Sequence, residues 1–238
     1  MIVAIDGPAG SGKSTTARQV AERLGWLYLD TGAMYRAVGL AFRERGLPVT
    51  DAAAADLVPG LDVRLQPGPG GTRVALDGDD VTDRIRTPEA SRDASRVSAL
   101  APVRAAMVAL QRRAARNYAA ARPDGGVVVE GRDIGTVVFP DADVKFFLVA
   151  DLDARARRRL ADDAGGPATP AGPDGAPQAL EQVRAELAER DRRDESRDVA
   201  PLRAAPDAVT LDTTALTIDQ QVEHVLDAVR RVREPSAP

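Results

Sequence analysis

A glycine-rich stretch near the start of the chain carries the residue types that bind phosphate. Residues 7–14 read GPAGSGKS, which fits the P-loop pattern G-x-x-x-x-G-K-[ST]. Glycines let backbone N–H groups close around phosphate oxygens because no Cβ blocks the approach. Lys13 is expected to bridge the β- and γ-phosphates of a nucleotide, and the Ser14 hydroxyl to ligate Mg²⁺. The predicted phosphate-binding residues are Gly7, Pro8, Ala9, Gly10, Ser11, Gly12, Lys13, Ser14 and Thr15.

The elements on either side of this stretch are those that a P-loop requires. The apolar run 2–5 predicts a buried strand before it. Ala17, Val20, Ala21 and Leu24 follow it at the spacing of one helix face. That helix would point its positive dipole end at the same anion. The alternative is a tight strand-to-helix turn that is merely rich in glycine, and the flanking elements favour phosphate binding instead.

A second polar cluster follows the next predicted strand, at 26–29. The residues after this strand read DTGAMYR, and ligands of open α/β sheets bind at the carboxyl ends of strands. Thr31 and Arg36 are therefore predicted contacts of a second anionic substrate. A surface ion pair is the alternative for Arg36.

A third cluster lies at the end of the β-branched run 127–130. Such a run is typical of a central parallel strand, here expected beside the P-loop strand. Glu130 is predicted to hold Mg²⁺ through water. Arg132 and Asp133 come next and project from the carboxyl end of the same strand.

An arginine-rich segment lies in the last third of the chain. Residues 163–177 are rich in Gly, Pro and Ala, which predicts a mobile linker. Behind it a helix ends in ERDRRDESR at 189–197. Such interleaved charges usually form a solvated helix face. The linker favours the other interpretation, in which a lid swings its arginines onto a transferring phosphoryl group.

The order of the predicted elements indicates the fold class. The predicted strands are at 2–5, 26–29, 127–130, 144–149 and 208–211. Helical segments separate them, so the sequence predicts an α/β fold with a parallel sheet covered on both faces.

One segment interrupts this alternation of strands and helices. Residues 61–65 and 73–77 alternate apolar and polar side chains around a Pro/Gly run, which predicts an antiparallel hairpin. We expect an inserted subdomain at 60–88, within a core formed by 1–59 and 89–238 that has its lid at about 155–197. Pro102 is expected to break the helical stretch 89–121.

Composition excludes several classes of protein. The chain has 238 residues and no cysteine, which excludes disulfides. Its net charge of −4 argues against broad nucleic-acid binding. There is no apolar run near 18 residues and no secretory signal, so we expect a cytoplasmic protein without a membrane partner. The single histidine, His224, falls on a predicted surface helix, which argues against histidine catalysis.

A P-loop alone does not specify the reaction. The chain lacks the N-K-x-D motif that reads guanine, which argues against a regulatory GTPase. Motor and helicase ATPases are larger and would leave the arginine-rich lid unexplained. Small-molecule kinases fit the chain length, the lid and the second anion site.

Along nearly its whole length the sequence resembles the bacterial cytidylate kinase family. The motifs that carry the resemblance are IDGPAGSGKST, LDTGAMYR, EGRDIGTVVFPDADVKFFL and ERDRRDESRDVAPL, in that order. The resemblance implies the fold of P-loop nucleoside-monophosphate kinases: a five-stranded parallel sheet with helices on both faces, a small antiparallel CMP-binding insert and a helical lid. It also implies a monomer that transfers the γ-phosphoryl group of ATP to CMP or dCMP, with Mg²⁺ as cofactor.

The resemblance also assigns roles to individual residues. It implies that the phosphate-binding residues 7–15 bind ATP. It implies contacts with the CMP phosphate at Thr31, Arg36, Arg132 and Arg197. It implies cytosine contacts at Ser95, Arg104 and Asp133, and ribose contacts at Arg190 and Asp194. The implied catalytic residues are Lys13, Arg132, Arg190, Arg193 and Arg197, with Arg193 on the ATP phosphates or the transition state. The sequence departs from the family at Thr31, where some relatives have Ser, and at 163–177.

The chemistry of the bases agrees with these roles. Asp133 can accept a hydrogen bond from the cytosine amine, and Arg104 can donate to the N3 and O2 acceptors. Uracil would leave polar groups unpaired, at about 1–3 kcal/mol each. No general base is needed because the acceptor phosphate is largely dianionic at neutral pH. The alternatives are a kinase for UMP, dTMP or shikimate, and a non-catalytic nucleotide-binding regulator.

Overall fold

A computed structural model describes residues 1–68, 71–163, 176–197 and 199–233. The strands are β1 (Ile2–Asp6), β2 (Leu27–Asp30), β3 (Val63–Gly68), β4 (Gly71–Leu76), β5 (Asp79–Asp80), β6 (Val127–Gly131), β7 (Val144–Val149) and β8 (Val209–Asp212). The helices are α1 (Lys13–Leu24), α2 (Thr31–Glu44), α3 (Asp51–Leu57), α4 (Pro88–Val97), α5 (Ala101–Ala121), α6 (Leu152–Asp163), α7 (Ala176–Glu195) and α8 (Ile218–Arg233).

The main sheet is five-stranded and parallel, in the order β2-β6-β1-β7-β8. Each of the predicted core strands is confirmed to within one residue at either end. The run 127–130 lies beside the P-loop strand, as predicted. Val3, Ala4 and Ile5 of β1 are fully buried because helices cover both faces of the sheet, which confirms the predicted architecture.

The two faces of the sheet have separate apolar cores. On one face, Val20 of α1 and Val225 of α8 pack with Val3 and Phe146. On the other face, Ala115 of α5 packs with Leu29 and Val129. Side chains of a strand alternate between faces, so each strand of the centre contributes to both cores.

The insert is a three-stranded antiparallel sheet in the order β3-β4-β5. The predicted hairpin is confirmed, and β5 is an added short strand that sequence reasoning missed. Val63 and Val74 share one apolar cluster with Met34 and Phe42 of α2. The insert is therefore held firmly against the helix that begins at Thr31.

The predicted break near Pro102 is confirmed, since α4 ends at Val97 and α5 begins at Ala101. Pro102 lies in the first turn of α5, where the missing N–H is not needed by the helix. Ser95 of α4 and Arg104 of α5 lie on either side of the break and line one cavity.

The arginine-rich helices α6 and α7 pack against each other. Most of the predicted mobile linker, at 164–175, lies outside the described residues. Within the described ranges, no helix has the length and apolar character to cross a membrane.

Candidate active site

The P-loop connects β1 to α1 as the sequence predicts. Gly7, Gly10 and Gly12 have φ angles of 145°, 75° and 90°, which L-residues with a Cβ rarely adopt. A Cβ on Gly7 would lie 2.1 Å from the carbonyl oxygen of Leu148, so this position requires glycine. Helix α1 begins at Lys13, so the free N–H groups of its first turn border the loop and favour an anion there.

Lys13 is buried at the base of the P-loop. Its Nζ donates a hydrogen bond of 2.6 Å to the carbonyl oxygen of Pro8. Burial and the nearby Arg132 guanidinium lower the pKa of Lys13, against the opposing influence of Glu130. Phosphate oxygens beside the ammonium group would favour its charged form, so this lysine is suited to hold an anion.

A chain of hydrogen bonds joins Ser14, Glu130 and Tyr28. Ser14 Oγ donates to Glu130 Oε2 at 2.8 Å, and the Tyr28 hydroxyl donates to Glu130 Oε1 at 2.6 Å. Burial and the Asp30 carboxylate raise the pKa of Glu130. Because the hydroxyl proton of Ser14 points at Glu130, the lone pairs of its Oγ remain available to a cation.

These residues fit Mg²⁺ in the way that nucleotide enzymes bind it. In the described parts of the chain, no three His, Asp or Glu side chains are grouped tightly enough to enclose a metal. Mg²⁺ takes few protein ligands and completes its octahedron with waters and phosphate oxygens. The hydroxyl of Ser14, with Glu130 behind it, supplies that minimal set.

A basic cavity of about 180 Å³ opens beside the P-loop. It lies at the carboxyl ends of β2 and β6, where open α/β sheets bind their ligands. Lys13, Ser14 and Glu130 line it. So do all the predicted CMP-binding residues, which the fold brings together from distant parts of the chain: Thr31, Arg36, Ser95, Arg104, Arg132, Asp133, Arg190, Asp194 and Arg197.

One end of the cavity contains a buried ion pair between Arg104 and Asp133. Arg104 also donates to the carbonyl oxygen of Ser98 at 3.3 Å. The hydroxyl of Ser95 is buried and has no hydrogen-bond partner among the described residues. This end therefore offers a carboxylate acceptor, a guanidinium donor and an unsatisfied hydroxyl, all of which suit a nucleobase edge.

A group of arginines around Asp194 also lines the cavity. Arg132 Nε lies 3.0 Å from Asp194 Oδ2, Arg190 Nε lies 3.9 Å from the same oxygen, and Arg197 Nη2 lies 3.8 Å from Oδ1. Burial alone would raise the pKa of Asp194, but the arginines outweigh it and the net shift is downward. Several cations share one carboxylate, so this group carries excess positive charge for a phosphate.

Arg36 and Thr31 lie at the amino end of α2. Arg36 pairs with Asp30 at 2.9 Å, and Asp30 also caps the helix by accepting from the N–H of Ala33 at 2.8 Å. The ion pair considered as the alternative for Arg36 is thus present, on a side chain that also lines the cavity. Thr31 Oγ1 donates to the carbonyl oxygen of Glu130 at 2.6 Å.

Arg193 is not brought into this cavity. Its side chain is 40% exposed and its Nε lies 3.7 Å from a carboxylate oxygen of Glu189. It lines the adjacent cleft between α4 and α7, which Ala9 and Gly10 of the P-loop also border. It is more exposed than Arg190, the other predicted catalytic arginine on α7.

Sequence reasoning missed two residues that organise the site. Asp6 is buried and accepts from the N–H groups of Ile134 and Gly135, at 2.8 Å each, so it fixes the turn after Asp133. Asp6 is the last residue of the P-loop strand, and a carboxylate at the carboxyl end of a parallel strand is a sequence signal that could have identified it as a site residue. Arg155 of α6 donates to the carbonyl oxygen of Ala9 at 3.2 Å, and no signal distinguished it from the neighbouring arginines.

A parallel sheet, a P-loop and a basic cavity beside it define a kinase of the P-loop class. The family model of cytidylate kinase matches residues 3–231, and the chain belongs to that family, as its motifs predicted. It is 52% identical over 231 residues to the cytidylate kinase of Salinibacter ruber, with 97% of both chains covered. Identity to the cytidylate kinase of Symbiobacterium thermophilum is 47%, covering 97% of this chain and 96% of the relative. Identity to the cytidylate kinase of Geobacter sulfurreducens is 44%, covering 100% of this chain and 96% of the relative.

Proposed function

We propose that this chain transfers the γ-phosphoryl group of ATP to CMP or dCMP, giving ADP and CDP or dCDP. The observation that carries the proposal is the buried Arg104–Asp133 pair at the end of an arginine-lined cavity that adjoins the P-loop. A site for a pyrimidine monophosphate needs a polar base reader, a phosphate clamp and a donor phosphate in line. The cavity combines groups suited to all three.

Base selection rests on Asp133 and Arg104. The Asp133 carboxylate accepts from the exocyclic amine of cytosine, and the Arg104 guanidinium donates to N3 and O2. UMP presents a carbonyl oxygen to Asp133, and the resulting unpaired buried groups cost about 1–3 kcal/mol each. A kinase for UMP, dTMP or shikimate is therefore the less favoured function.

The chemistry is an in-line displacement at the γ-phosphorus. A phosphate oxygen of CMP forms the new P–O bond, and the bond to the β-phosphate oxygen of ATP breaks to release ADP. Lys13, Arg132 and Arg197 neutralise the charge that develops on the transferring group. Arg132 is suited to link the two substrates, because its Nη1 also donates to the carbonyl oxygen of Gly7 at 3.0 Å.

Mg²⁺ bound with ATP would add charge neutralisation at the β- and γ-phosphates. We propose that Ser14 holds it directly and that Glu130 holds it through water. The segment 155–197 would act as a lid that brings arginines of α6 and α7 over the phosphates and excludes water. Residues 60–88 would form the monophosphate-binding subdomain. A monomeric state stays a prediction of the family resemblance, and a cytoplasmic location stays a prediction from the sequence.

The test is ADP release measured with CMP, dCMP, UMP, dTMP and shikimate, each in Mg²⁺ and in EDTA. We expect turnover with CMP and dCMP, little with the other acceptors, and none in EDTA. ATP binding without stimulation by any acceptor would identify a nucleotide-binding regulator and refute the proposal. Equal rates with CMP and UMP would refute the role given to Asp133.

A further inference from the structure

Tyr28 lies on an edge strand of the main sheet, one strand away from the carboxylate that it contacts. Leu27 and Leu29 face the α5 side of the sheet, whereas Tyr28 packs with the core of the α1 side. Strand β2 pairs with β6 in a register that places Asp30 opposite Glu130. The ring of Tyr28 therefore runs along the sheet toward the end of β6, and its hydroxyl meets Glu130 Oε1 at 2.6 Å.

This contact limits what the Glu130 carboxylate can do. A glutamate side chain has several rotatable bonds, but Glu130 is buried and each of its oxygens accepts one hydroxyl. Since Tyr28 occupies Oε1, Oε2 is the oxygen that faces Ser14. The Ser14 proton is thereby directed away from the P-loop mouth, and the lone pairs of its Oγ are left for a cation.

We propose that Tyr28 is a positioning residue for binding of the metal–nucleotide complex: it fixes Glu130, and Glu130 orients the Ser14 hydroxyl as a ligand. This inference rests on the proposed function, because it takes Ser14 as the residue that holds Mg²⁺. Tyr28 acts through Glu130 and contacts neither substrate. A side chain without a hydroxyl at this position would leave Oε1 buried and unpaired, free to turn Glu130 away from Ser14.

The experiment measures the affinity for a non-hydrolysable ATP analogue by calorimetry, without acceptor, in Mg²⁺ and in EDTA. Tyr28→Phe should bind the analogue as the wild type does in EDTA and roughly tenfold more weakly in Mg²⁺, the effect of one lost hydrogen bond to a charged group. Tyr118→Phe is the matched control, because among the described residues the Tyr118 hydroxyl donates to the Gly25 carbonyl oxygen, at 3.3 Å, and not to a residue of the site. It should match the wild type in both buffers.

Two results would overturn the inference. If Tyr28→Phe binds the analogue in Mg²⁺ as tightly as the wild type does, Tyr28 does not position the metal site. If the variant loses the same affinity in Mg²⁺ and in EDTA, the effect of the substitution is structural only. The pair Glu130→Gln and Tyr28→Phe/Glu130→Gln adds a check: the tyrosine change should add less than about twofold once Glu130 is altered. A full additional loss means that Tyr28 acts elsewhere.

The proposed function can fail separately. If the wild type binds the analogue more tightly in Mg²⁺ than in EDTA but CMP does not stimulate turnover, the acceptor assignment is refuted and the role of Tyr28 is unaffected. Equal analogue binding by the wild type in Mg²⁺ and EDTA would refute both the metal assignment and this inference.

Discussion

The P-loop and the acceptor cavity hold charge in different ways. At the P-loop, Lys13 is fixed by a backbone carbonyl five residues away, that of Pro8. In the acceptor cavity, Arg132 reaches Asp194 across 62 residues of sequence, and Arg104 reaches Asp133 across 29. The first site depends on backbone shape within one loop, and the second on ion pairs between distant segments.

This difference predicts that substitutions in the two regions differ in their effect on stability. A phosphate can enter the P-loop without displacing a carboxylate from Lys13, because the hydrogen bond of its Nζ among the described residues goes to a neutral carbonyl oxygen. Each acceptor-site arginine is held in place by an acidic neighbour, and removal of one member of a buried ion pair leaves an uncompensated charge. We therefore expect P-loop substitutions to abolish turnover in a folded chain, and acceptor-site substitutions to alter both selectivity and stability.

The largest expected effect is that of Lys13→Ala. It should lower kcat by about 10³-fold or more, because the group that bridges the β- and γ-phosphates is lost. The melting temperature should not fall, since the charged form of Lys13 is disfavoured by its burial. Steady-state kinetics and thermal unfolding of the same preparation measure both quantities.

Lys145→Ala is the matched control for Lys13→Ala. Lys145 is the other lysine of the chain; it pairs with Asp207 at 2.7 Å and does not line the cavity that Lys13 lines. Its loss should lower the melting temperature and leave kcat near the wild-type value. Near-normal turnover of Lys13→Ala would contradict the role given to the P-loop lysine.

The next effect is that of Asp133→Ala on the choice of acceptor. The ratio of kcat/KM for CMP to that for UMP should fall by about 100-fold, while KM for ATP changes little. The free energy of unfolding should fall by about 3 kcal/mol, because Arg104 is left buried without its partner. Asp133→Asn keeps one acceptor oxygen and should fall between the wild type and the alanine variant. An unchanged ratio would assign base reading to other residues.

The same difference explains how much the sequence could predict. The P-loop depends on neighbours in the chain, so its pattern predicted the loop and the helix that begins at Lys13. The central strands were predictable because their β-branched runs are buried on both faces. Contacts such as Arg155 with Ala9, or Tyr28 with Glu130, depend on how elements pack in space, and neither spacing nor composition encodes them. Thr31 and Arg36 were predicted as substrate contacts from their position after a strand, whereas Ser95, Arg104 and the individual roles of the other acceptor residues were predicted through the family resemblance.

A smaller effect concerns the pH dependence of stability, through Asp6. Burial raises the pKa of Asp6 to about 7. The hydrogen bonds from the N–H groups of Gly135 and Ile134 lower this pKa in part. The Asp133 carboxylate raises it further and the Lys13 ammonium lowers it. Between pH 4 and 7 the native state therefore holds a proton that the unfolded chain releases, so stability contributed at low pH is lost as pH rises through 7. The unfolding free energy of the wild type, relative to Asp6→Asn, should fall by about 2 kcal/mol from pH 5 to pH 7. Urea titrations at both pH values test this, and a constant difference would mean that Asp6 is ionised throughout.

The smallest expected effect is that of Arg193→Ala, compared with Arg190→Ala on the same helix. Arg190 is 26% exposed and lies in the arginine group around Asp194, whereas Arg193 is 40% exposed and pairs with Glu189. Arg190→Ala should lower kcat by about 100-fold. Arg193→Ala should change kcat less than about fivefold and stability by less than about 1 kcal/mol, as for other exposed ion pairs. If both variants lose kcat equally, α7 must move toward the P-loop when nucleotides bind, which would bring Arg193 onto the phosphates and support the lid.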